Sequence, residues 1–146
     1  MKRNIAPRLA ISAAVLAALL LLIQLIPVEQ TNPPVEADLI APDAVKDILR
    51  RACYDCHSHE TRWPWYGRVA PFSWWLAGHV TEGRADLNFS RWPLFDLEAR
   101  ELMLRDIEKQ LVDGTMPLPG YLVGHREARL SDRDRKVLLE WARAGY

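Results

Sequence analysis

The chain has 146 residues, with 19 basic and 19 acidic side chains, two cysteines and four histidines. That length accommodates one domain of ordinary size plus an appendage. The balanced charge says little about nucleic acid, but no basic patch or aromatic-basic module argues for it, so no nucleic-acid partner is expected, and two cysteines within one short motif leave none for a further metal cluster.

Lys2, Arg3 and Arg8 precede an apolar run from Leu9 to Ile26 that is broken only by Ser12 and Gln24. The run is longer than the core of a signal peptide and close to the ~20 residues that span a bilayer as a helix. No small-x-small cleavage pattern follows it. Residues 1–27 therefore read as an uncleaved membrane anchor in preference to a removed signal sequence. Basic residues before the span and acidic ones after it orient a single pass through the cell inner membrane, with the C-terminal part in the periplasm or extracytoplasmic space. Without Lys2, Arg3 and Arg8 the charge of the remainder is 16 − 19 = −3.

Residues 28–41, with Pro33 and Pro34 among scattered acids, carry no apolar period. They read as a Pro-rich linker, an extended tether of ~3 Å per residue that lets the following part reorient. Residues 42–146 read as the functional domain.

Pro42 and Asp43 open a helix, and Val45, Ile48, Leu49 and Ala52 make one apolar stripe along it. The stripe leads into Cys53-Tyr54-Asp55-Cys56-His57. This Cys-x-x-Cys-His spacing is the attachment signature of a c-type haem. Two thiols three positions apart can each add to one vinyl group of the same porphyrin, and His57 then offers an imidazole to the iron. The same residues also allow a dithiol redox pair, a zinc site completed by His57 and His59, or a disulfide. The dithiol motif belongs beside a strand–helix–strand pattern, and none is visible.

Six aromatics follow within residues 62–75, namely Trp63, Trp65, Tyr66, Phe72, Trp74 and Trp75. Ser73 is placed to cap a helix reaching about Arg84. On that helix Trp75 and His79 share one face, with Leu76, Val80 and Gly83 on the adjoining one. Trp63 and Trp75 are candidate walls of a porphyrin pocket, with Arg62, Arg68 or Arg84 beside the propionates; an ordinary aromatic core explains the same rings. Leu97, Leu104 and Leu111 then mark an amphipathic helix over residues 96–112, capped by Asp96.

Met116 lies in the stiff loop Gly114-Thr115-Met116-Pro117-Leu118-Pro119-Gly120. A thioether binds haem iron opposite a histidine, so Met116 is the candidate distal ligand and His79 its rival. His59 is too near His57 to reach the far face, and His125 reads as a surface loop residue. Ser131-Asp132-Arg133-Asp134 opens the last helix with a near capping box, Val137, Leu138, Trp141 and Ala142 form its apolar face, and Gly145 ends it. No strand signal of useful length follows the anchor, so the fold class expected is all-α.

The order helix, Cys-x-x-Cys-His, intervening helices, methionine loop and closing helix resembles a class I cytochrome c domain. More closely, Cys53-Tyr54-Asp55-Cys56-His57-Ser58, Glu60-Thr61-Arg62-Trp63-Pro64-Trp65-Tyr66, Ser73-Trp74-Trp75-Leu76, Gly78-His79-Val80, Leu87-Asn88-Phe89-Ser90 and Met116-Pro117 resemble the family named the haem-binding domain, over about residues 40–145. The resemblance implies a cytochrome c-like helical domain around one covalently bound haem c, with the first and last helices crossing. The resulting expectation is a membrane-anchored single-haem cytochrome carrying electrons between redox partner proteins, with no catalytic residues. The alternative is a haem-based sensor or peroxidase-like enzyme with an open distal site.

Overall fold

A computed structural model describes residues 5–145. Lys2 and Arg3, two of the three basic residues expected to orient an anchor, lie outside the described residues. Among those described there are seven α-helices, four short 3₁₀ turns and no strand, so the all-α expectation holds. The helices are α1 (Ile5–Leu22), α2 (Asp43–Ala52), α3 (Tyr54–His57), α4 (Phe72–Asp86), α5 (Leu97–Asp113), α6 (Tyr121–Gly124) and α7 (Asp132–Ala144). They fall into two compact units, one of residues up to Thr31 with Trp63–Gly78, the other of Asn32–Arg62 with His79 onward.

In the first unit, α1 continues through a 3₁₀ turn at Ile23–Leu25. The stretch Pro7–Leu25 is long and apolar enough to cross a membrane, and none of it is buried within the protein. The aromatic segment follows as a 3₁₀ turn at Trp65–Arg68 and then the start of α4. Ser73 is not the cap that its hydroxyl suggests. The helix starts one residue earlier, because the carbonyls of Val69 and Pro71 already accept from the N–H groups of Ser73 and Trp74 at 3.0 and 3.1 Å. Ser73 is left buried in the first turn.

The second unit holds the core. The stripe on α2 is buried, with Val45, Ile48, Leu49 and Ala52 all facing inward. Val45, Ile48 and Leu49 join Phe89, Trp92, Leu104, Leu111, Leu138 and Trp141 in one apolar cluster, while Ala52 packs with Tyr121 and Ala128 in a second. α7 packs against both α2 and α5. Local chemistry sets the helix ends: Asp96 accepts from Ala99 N–H at 2.8 Å to start α5, and Ser131 and Asp134 complete a capping box on α7. Gly114 and Gly145 end these two helices at φ values of 68° and 73°, where a side chain is strained.

The segment expected as a free tether is extended but fastened over its second half. Ser90 O accepts from the N–H groups of Glu36 and Ala37 at 3.2 and 3.0 Å, and His59 Nδ1 donates to Pro34 O at 2.8 Å. Leu39 is fully buried. Backbone groups paired in this way, and an apolar side chain removed from water, hold residues 32–41 on their own unit.

Candidate functional site

Helix α2 delivers the motif. Leu49 O accepts from Cys53 N–H at 2.8 Å, and Cys53 O accepts from Cys56 and His57 N–H at 3.1 and 2.9 Å. The chain therefore passes from one helix into a single tight turn, with Cys53, Cys56 and His57 on its open side. The two thiols are not joined to each other. Burial pushes Cys53 up to about 12 and Cys56 up to about 11, which keeps both protonated. Dithiol redox catalysis needs a lowered thiol pKa, so these environments are the reverse of a reactive pair.

His57 is held by α4. Its Nδ1 lies 2.8 Å from Gly83 O and 3.2 Å from Leu87 O. Two carbonyl acceptors assign the proton to Nδ1 and leave the lone pair on Nε2. Burial lowers the His57 pKa, so the neutral ring is favoured. Gly83 makes this close approach possible. A Cβ at that position would lie 2.8 Å from the carbonyl oxygen of Cys56 and 3.2 Å from its Cβ.

Cys53, Cys56, His57, His79 and Met116 line one cavity, with Ala52, Gly83, Leu118 and Tyr121 among the other walls. Asp55, Glu82 and Asp86 also line it. The cavity holds about 200 Å³. That is smaller than the roughly 300–1,000 Å³ of sites that enclose a ligand. Both axial candidates, Met116 and His79, are thus on the same cavity as His57, while Trp63 and Trp75 belong to the first unit and are not among its lining residues.

Sequence reasoning missed the support beneath the turn. Asp55, buried in the motif, accepts from Tyr121 Oη at 2.6 Å and from Arg62 N, Nε and Nη2 at 3.0 to 3.1 Å. Burial and the bond to Asp55 both raise the Tyr121 pKa, so the phenol stays a donor. Arg84, another expected propionate partner, donates to Ser58 O at 2.8 Å and to Thr61 Oγ1 at 2.9 Å. His125 is in the loop after α6, as expected, but its side chain is partly buried, and its ring stacks on Tyr121 with centroids 4.1 Å apart. The one available signal was Gly83, because a glycine within a helix costs stability unless close packing needs it.

His59 does not complete a zinc set. Its Nδ1 is engaged with Pro34 O, and its Nε2 accepts from Asn88 Nδ2 at 2.9 Å. Among the described residues no group of three or more His, Cys, Asp or Glu side chains is arranged to hold a metal ion. Two adjacent thiols, a tautomer-fixed imidazole and a thioether around an apolar slot do fit the donor set of an attached porphyrin.

A family model described as a haem-binding domain matches residues 18–144. No curated protein matches the chain, and no solved structure does.

Proposed function

The chain belongs to the haem-binding domain family, and from that premise we propose that it is a membrane-anchored, single-haem c-type cytochrome carrying electrons on the periplasmic side. In this reading residues 1–27 are the anchor and residues 42–146 the haem domain. The observation that carries it is the convergence of Cys53, Cys56, His57 and Met116 on one cavity. Cys53 and Cys56 would hold one haem c through thioether links, with His57 and Met116 as the two iron ligands. The packing of α2 on α7 supports the cytochrome c-like arrangement that the sequence implies.

Bound haem supplies a one-electron ferric–ferrous couple. The chain's own residues do the rest. Gly83 O and Leu87 O hold the imidazole of His57 in one tautomer and orientation, which a ligand must keep in both oxidation states. Ala52, Leu118 and Pro117 exclude water from the slot. Met116, which lines the same cavity, would be the second iron ligand and would then leave no open position for substrate. Glu82 and Asp86 at the cavity place acidic charge where a basic redox partner docks through a small, transient interface.

Mass and haem staining of the denatured full-length protein test covalent attachment; a colourless chain of unmodified mass sinks the proposal. Visible spectra of wild type, Met116→Ala and His79→Ala test the ligand. The sulfur-to-iron charge-transfer band of the oxidised protein is expected to vanish only in Met116→Ala. A second reading, a haem sensor or peroxidase-like enzyme, is favoured by one observation: His79 lines the same cavity and would serve as a distal polar group. Rapid, complete carbon monoxide binding to the reduced native protein selects that reading over the carrier.

A further inference from the structure

The first unit ties the aromatic segment to the end of the apolar helix. Gln24 Nε2 donates to Ala70 O at 3.2 Å, and Ala70 N–H donates to Gln24 Oε1 at 2.9 Å. A side-chain amide thus pairs both backbone groups of one residue. Six positions further on, Gln30 Nε2 donates to Gly67 O. Gly67 permits the tight packing, since a Cβ there would meet Leu76 Cδ2 at 2.8 Å.

These clamps fix the level of the segment along the chain axis. The apolar stretch Pro7–Leu25 is about 28 Å long at ~1.5 Å per residue, close to the ~30 Å of a bilayer's hydrocarbon core. Gln24 is one residue from its end. Residues 67–70 are therefore held where hydrocarbon gives way to headgroups, and the pairing satisfies an amide that lipid alone would leave costly.

What the clamped segment displays suits that zone. Trp65 is 79 % exposed, Phe72 59 % and Trp75 43 %, and Leu25 and Ile26 at the end of the apolar stretch are exposed too, with Ile26 lining one shallow pocket with Gly67, Arg68, Ala70 and Ser73. Across residues 63–78 the only charged side chain is Arg68, and it is exposed; there is no acid. Aromatic rings with a single cation and no anions match the interfacial belt of a membrane protein, where rings lie at the headgroup level and a guanidinium meets phosphate. A soluble partner or a second copy of the chain has no comparable continuity with the span.

We propose that Trp65, Phe72 and Arg68 form a membrane-contact surface that inserts into the headgroup zone of the bilayer crossed by α1. The proposal rests on reading α1 as a membrane span and goes beyond the electron-carrier assignment. Its function is to hold the segment after the span against the lipid surface.

The test uses the full-length, haem-loaded protein in phospholipid nanodiscs. The photoreactive residue p-benzoylphenylalanine replaces Leu16, Trp65 or Phe72 in three separate variants, and adducts are identified by mass spectrometry. Lipid adducts at all three positions are expected. Adding Gln24→Leu to the Phe72 and the Leu16 variants should lower the lipid adduct at Phe72 severalfold while leaving that at Leu16 in place. Lipid adducts at Leu16 with none at Trp65 and Phe72, or protein adducts there instead, overturn the contact surface but leave the span standing. No lipid adduct at Leu16 overturns the span, and the contact surface with it.

Discussion

Tyr121 donates a 2.6 Å hydrogen bond to Asp55 across 66 residues of sequence, joining the segment after the methionine loop to the turn that carries both thiols. Asp55 is buried, and its carboxylate also accepts from Arg62 N, Nε and Nη2. Tyr121→Phe removes one donor to a charged group while keeping the ring and its stack on His125. The expected cost is about 1.5–3 kcal/mol. Denaturant unfolding followed by tryptophan fluorescence measures it, and an unchanged midpoint would show that the bond contributes nothing.

Gly83→Ala is expected to be costly out of proportion to its size. The new methyl group would meet the Cys56 backbone oxygen at 2.8 Å, so either α4 or the attachment turn must move. Overpacking of this kind costs about 1–3 kcal/mol, and it also displaces the carbonyl that orients His57. Haem absorbance per polypeptide should fall. Gly78→Ala is the contrast, because nothing lies within 4 Å of a Cβ there. That change should leave haem content intact and add up to about 1 kcal/mol through helix propensity. Equal behaviour of the two variants would contradict the packing argument.

Leu39→Ala tests whether residues 32–41 are part of the fold. Leu39 is fully buried, whereas Val35 is 44 % exposed. The first substitution should cost about 2–5 kcal/mol. Val35→Ala should stay within about 0.5 kcal/mol. Two equally mild effects on the unfolding midpoint would restore the picture of a free tether.

Asp134 should give the protein a defined acid sensitivity. Its carboxylate accepts from Ser131 N–H at 2.9 Å and pairs with Arg51 at 3.0 Å. The bonds from Ser131, backbone first, hold its pKa below 3.8. A carboxylate with a depressed folded-state pKa stabilises fully above the unfolded value and loses that contribution as pH falls through the folded one. Asp134→Ala should therefore cost about 1 kcal/mol near neutral pH, as expected for a lost cap. The difference from wild type should shrink below pH 3.8. A gap independent of pH would assign the effect to helix propensity alone.

By itself, the sequence determined what short-range interactions determine. The stripe of Val45, Ile48, Leu49 and Ala52 is visible because a helix brings i, i+3, i+4 and i+7 to one face. Asp96 and the Ser131–Asp134 pair announce helix starts because a cap reaches only three residues. The spacing of Cys53, Cys56 and His57 is likewise a local fact, set within one turn. Only the tertiary structure decided that Gly83 presses on Cys56, that Tyr121 supports Asp55, and that His59 holds Pro34 and Asn88 while Met116 and His79 line one cavity. Each of these pairs residues separated by 25 to 66 positions or gathers them from separate elements. Periodicity and capping carry no signal at such distances, so packing and hydrogen-bond satisfaction across the folded chain chose the partners.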